Sequence, residues 1–132
     1  MGASFAASAP VNLAAGDCVA FSCISENSSH FTATGEGVRI HQTGCYMVVY
    51  TVHVPANETV CSRFLLTLNG DRIAASAADV STIADGSTNG YTMHALVHAQ
   101  AGSLLKLATL GPVSICSGPA SNIFTLSIHK IG

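Results

Sequence analysis

One stretch constrains the fold more than any other: Gly44-Cys45-Tyr46-Met47-Val48-Val49-Tyr50-Thr51-Val52-His53-Val54-Pro55. Its β-branched and aromatic content suits an extended strand, in which successive side chains point to opposite faces. Tyr46, Val48, Tyr50, Val52 and Val54 then share one apolar face, the side expected to enter the subunit core. The other face carries Cys45, Met47, Val49, Thr51 and His53, none of them formally charged at neutral pH. A strand with water on one side alternates apolar with strongly polar residues. This strand does not, so its second face is expected to be covered, in a chain this short by another copy of itself.

Composition points the same way. In 132 residues only 9% are charged and 48% are apolar, so exposed polar surface must come mainly from Ser, Thr, Asn and Gly. The length suits one domain with a single core that needs no metal or disulfide staple. The net charge of −2 gives no electrostatic pull toward nucleic acid. Arg39, Arg63, Arg72, Lys106 and Lys130 are scattered and build no basic patch. No apolar run approaches the ~18 residues of a spanning helix, so membrane insertion is not expected. Residues 1–16 are rich in Ala and Ser and lack a basic n-region, so they do not read as a signal peptide. They are expected to form an N-terminal segment with the first strand region, ahead of one domain over residues 17–132.

Short apolar runs separated by Gly, Asn, Asp and Ser predict an all-β chain without helices. Expected strands are Val19 to Cys23, Val38 to His41, Cys45 to Val54, Arg63 to Leu68, Arg72 to Ser76, Thr92 to Ala99, Leu104 to Leu110 and Phe124 to Lys130. Asn69-Gly70 is a two-residue hairpin signal because both residues tolerate positive φ. Ala101-Gly102 marks a second tight turn, and Asp79 to Gly90 the longest loop. Eight or more short strands predict a two-sheet antiparallel sandwich, most simply a jelly roll. If Phe124, Leu126 and Ile128 point inward on the last strand, Thr125, Ser127 and His129 face outward. Leu96 is assigned to the core.

The order of motifs carries a resemblance. Gly44-Cys45-Tyr46 opens a long strand, then comes Leu68-Asn69-Gly70, then Leu96 to Ala99 followed by Ala101-Gly102-Ser103-Leu104. This order resembles the jelly-roll heads shared by tumour necrosis factor and the complement globular heads. Ala9-Pro10-Val11, Leu13 to Phe21 and the closing Phe124 to Ile131 look most like one branch, the C-terminal heads of bacterial collagen-like spore-surface glycoproteins of the BclA type. The resemblance implies a homotrimer that caps a collagen-like stalk on a spore surface, an exosporium or a cell surface. It also implies that the sheet holding Cys45 to Val54, the strand with His94 and His98, and the last strand packs against neighbouring subunits. The alternative is a ligand- or glycan-binding fibre tip that uses loops such as Asp79 to Gly90 on the same trimer and recognises a host surface or glycan. No Gly-x-y tract is present in the chain.

Catalysis is not expected. No Gly-x-Ser-x-Gly elbow occurs, and a Cys45 pair with His41 or His53 is weaker than plain packing roles. No cofactor or metal is expected either. There is no His-x-His, and His94 and His98, four apart on a strand, lie about 13 Å apart along it. Cys18, Cys23, Cys45, Cys61 and Cys116 include no Cys-x-x-Cys and cannot all pair within one chain. They are read first as small buried apolar residues, with one structural disulfide or a reactive or metal-binding thiol as the alternatives. Asn27-Ser28-Ser29 and Asn57-Glu58-Thr59 match the glycosylation acceptor pattern, a pattern frequent by chance.

Overall fold

The computed structural model describes residues 2–8, 11–25, 30–55, 58–82, 89–115 and 122–132. The described residues contain twelve strands: β1 (Gly2–Ser8), β2 (Val11–Leu13), β3 (Ser22–Ser25), β4 (Phe31–Ala33), β5 (Val38–Ile40), β6 (Gly44–Val54), β7 (Val60–Leu68), β8 (Asp71–Thr82), β9 (Asn89–Ala99), β10 (Ser103–Thr109), β11 (Val113–Ile115) and β12 (Asn122–Lys130). No helix among them is long and apolar enough to cross a membrane. Two five-stranded antiparallel sheets, ordered β3-β1-β12-β6-β9 and β4-β5-β10-β7-β8, make a jelly-roll sandwich, with β11 and β2 as a small extra ribbon. The Asn27 and Asn57 acceptor matches lie outside the described residues, as does Cys116.

The core lies between the sheets and follows the strand alternation. Tyr46, Val48, Tyr50, Val52 and Val54 of β6 are fully buried, beside Phe124, Leu126 and Ile128 of β12. Phe31, Val38, Ile40, Phe64, Leu66, Leu105 and Leu107 meet them from the facing sheet. Two aromatic pairs bridge the layers, Phe31 against Tyr46 at 5.8 Å edge-on and Phe64 against Phe124 at 5.6 Å. Such tilted contacts add about 0.5–1.5 kcal/mol each beyond area burial. The buried phenols keep partners, Tyr46 donating to the Gln42 carbonyl and Tyr50 to the Ser76 carbonyl at 2.5 Å. Burial pushes both phenol pKa values up.

The turns match their residues. Asn69 (φ 52°) and Gly70 (φ 87°) both occupy the left-handed region, which makes the two-residue hairpin between Leu68 and Asp71. At Gln100-Ala101-Gly102-Ser103, Ser103 N donates to Gln100 O at 3.0 Å, and the chain crosses from one sheet to the other.

β1 pairs with β12 from Gly2 opposite His129 to Ser8 opposite Asn122, and Phe5 is fully buried. Two expectations need correction. Strand pairing continues to Thr82 and resumes at Asn89, so the expected loop from Asp79 is shorter at both ends. Leu96 is not a core residue. It is 65% exposed, because it alternates with Ala95 and Val97, which take the inward positions on β9.

Candidate functional site

The outer face of the β3-β1-β12-β6-β9 sheet is built in rows by strand register. His98 lies opposite Cys45. Leu96, Met47, His129 and Gly2 form the next row, followed by His94, Val49, Ser127 and Ser4. Thr92, Thr51 and Thr125 form the row after that, and His53 faces Gly90. These rows contain no Asp, Glu, Lys or Arg, and in the isolated chain their side chains are exposed or half-buried. Leu96 at 65% and Ile131 at 58% are the large apolar residues left most open. The polar groups here pair with one another: Thr51 and Thr92 hydroxyls at 3.0 Å, Ser4 and Ser127 at 3.5 Å.

The facing sheet is different. Arg39, Arg63, Arg72 and Lys106 lie on β5, β7, β8 and β10. Arg63 holds Asp79 through two hydrogen bonds at 2.7 and 3.1 Å, which draws the Asp79 carboxyl below its ordinary range. Lys106 reaches Glu36 at 3.4 Å, and Arg39 donates to the Gly102 carbonyl at 2.7 Å. Charge therefore covers one sheet and is missing from the outer rows of the other, whose Lys130 stands in register with the inward Tyr46. Leu96, Met47 and Val49 thus lie in outer rows that carry no formal charge.

Each expected interface residue lies on this outer face. Cys45, His53, His94, His98 and His129 are exposed, while Met47, Val49, Thr51, Thr125 and Ser127 are half-buried. Leu96 and Thr92 join them, and the sequence reading missed both. The signal was available: His94 and His98 had been placed on one face of a strand, and Leu96 sits midway between them.

Cys18, Cys45 and Cys61 do not behave as buried packing residues. Cys45 and Cys61 are exposed, Cys18 is half-buried, and all three are free. Strand alternation places Cys45 outward, opposite the buried Tyr46. The imidazole beside Cys45 is neither His41 nor His53 but His98, whose Nδ1 lies 3.4 Å from Sγ. His41 instead bonds the Thr32 hydroxyl at 2.6 Å. An open depression of about 320 Å³ lies elsewhere, lined by Gly16, Asp17, Cys18, Gly35, Glu36 and Lys106. Burial pushes the Cys18 thiol there up, away from the reactive thiolate. Among the described residues, no group of three or more His, Cys, Asp or Glu side chains is placed to hold a metal ion.

No protein-family model matches the chain, and no curated protein sequence does. Solved structures do match over essentially its whole length. The structure of Eiger TNF from S. frugiperda superposes with a TM-score of 0.74 at 17% identity, covering 100% of this chain and 92% of that one. Murine APRIL at pH 5.0 gives a TM-score of 0.72 at 14% identity, covering 99% of this chain and 100% of that one. The chain thus has the all-β, two-sheet jelly-roll fold of the tumour necrosis factor type.

Proposed function

We propose that this chain is a non-catalytic trimerisation and display head, in which the outer face of the β3-β1-β12-β6-β9 sheet packs against neighbouring copies. One observation carries the reading: rows from Gly2 to His98 hold no formal charge, whereas the opposite sheet is charged. Leaving Leu96, Met47, Val49 and Ile131 in water forgoes about 25 cal/mol for every Å² of apolar surface that a neighbour would cover. The fold likeness, together with the resemblance to tumour necrosis factor and complement heads, supports three copies in the assembly.

The resemblance to collagen-like spore-surface glycoproteins extends the proposal. The head caps a Gly-x-y stalk and sets the register of its triple helix, on a bacterial spore or cell surface. A stalk of Gly-Pro-Pro repeats fused to the N-terminus tests this. After melting, it should regain triple-helical circular dichroism much faster than the same stalk without the head. Equal rates would overturn the capping role.

A further inference from the structure

We propose that the self-association is acid-labile, because protonating His53, His94, His98 and His129 charges a face whose rows hold no Asp or Glu. The inference rests on the self-association proposed above and adds its regulation. Those four are the majority of the chain's six histidines, and they come from three strands: β6, β9 and β12. On a domain with so few charges, this is a concentrated set of groups able to gain charge in mildly acidic solution.

The surroundings decide the sign. His98 faces Cys45, its one titratable neighbour across the strand pair, with Sγ and Nδ1 3.4 Å apart. His94 faces Val49, and His53 faces Gly90. His129 lies between Met47 and Gly2. Lys130, next to His129 in the chain, has the opposite parity, in register with the inward Tyr46, and does not join these imidazoles. At one margin, β3 has no charged residue in its sequence. At the other, β9 adjoins β8, whose acids are Asp71 and Asp79. Asp79 is occupied by Arg63, and Asp71 sits at the hairpin turn opposite Leu68. Among the described residues, no Asp or Glu side chain is placed to receive an imidazolium on this face.

An ordinary imidazole titrates near ~6.5, and covering its cation without a counter-charge lowers that value. The assembled form then binds fewer protons than the separated chains. Association is therefore complete above the ordinary value and weakens as pH falls through it.

Sedimentation velocity at low micromolar concentration, at about pH 8 and about pH 5, tests the proposal within the range where imidazole titrates. The expected result is a trimer at the higher pH and smaller species at the lower, with the β circular dichroism retained. A chain monomeric at both pH values would sink the self-association itself. A trimer at both would leave self-association standing and overturn the acid lability. The exposed sites allow His94→Gln and His98→Gln without disturbing the core. That double variant should shift the dissociation midpoint to lower pH, and an unshifted midpoint would overturn the role of these imidazoles.

Discussion

The Tyr50 hydroxyl donates to the Ser76 carbonyl oxygen at 2.5 Å, tying the middle of β6 to the facing sheet. Ser76 sits where the register between β7 and β8 shifts, and its own hydroxyl accepts from Leu66 N at 2.8 Å and donates to Ile73 O at 2.6 Å. One phenol thus fixes both the sandwich spacing and a bulge. Tyr50→Phe should cost about 1–3 kcal/mol, because it strands a buried carbonyl without leaving a void. Tyr50→Ala should cost about 3–5 kcal/mol, as large core truncations do. Urea unfolding of both variants measures the difference, and a Tyr50→Phe variant as stable as the wild type would contradict the role assigned to the hydroxyl.

Alkaline stability follows from the same burial. Desolvation raises the pKa values of Tyr46 and Tyr50 above the ordinary tyrosine value near ~10. The unfolded chain then loses these protons first, so the stabilisation is present below that value and lost as pH rises above it. Absorbance titration should show both phenols resisting ionisation until the fold gives way. Tyr50→Phe should flatten the alkaline decline in stability.

Cys45 and Cys61 supply an internal comparison, since both are free and exposed but lie on opposite sheets. Assembly through the uncharged face should protect Cys45 from a thiol reagent and leave Cys61 open. Dilution to the separated chain should restore Cys45 labelling. Peptide mapping of the labelled protein reads both sites, and equal labelling of Cys45 in the two states would contradict burial of this face.

At the β7–β8 turn, Gly70 has φ of 87°, where a Cβ is disfavoured but meets no neighbouring atom. Gly70→Ala should destabilise by about 1 kcal/mol through backbone strain alone. A thermal melt checks it, and a gain in stability would mean that the turn can be redrawn.

Strong alternation and turn chemistry were legible in the sequence. The two faces of β6 could be read from Cys45 to Val54, and the hairpin from Asn69-Gly70. What escaped had weak local signals. β1 is Gly-Ala-Ser-Phe-Ala-Ala-Ser, small residues of low strand propensity, and it is a strand because β12 offers it a complete ladder. β2, β4 and β11 have three residues each, too few to show a period. Leu96 was misplaced because its apolar character outweighed its parity, which is the error a face left for a neighbour invites. Cys45 and Cys61 were misread for a related reason: the burial habits of cysteine say less about a residue than its position in the alternation.

The central claim is that the face bearing Leu96 and Met47 is covered by copies of the same chain. Light scattering of the wild type and Leu96→Glu at low micromolar concentration tests it most directly. The wild type should give three times the 13.5 kDa chain mass. Leu96→Glu should give a single chain mass with unchanged circular dichroism, because an unpaired charge would have to be buried three times over. A wild type at 13.5 kDa, or a Leu96→Glu variant that stays trimeric, would contradict the claim.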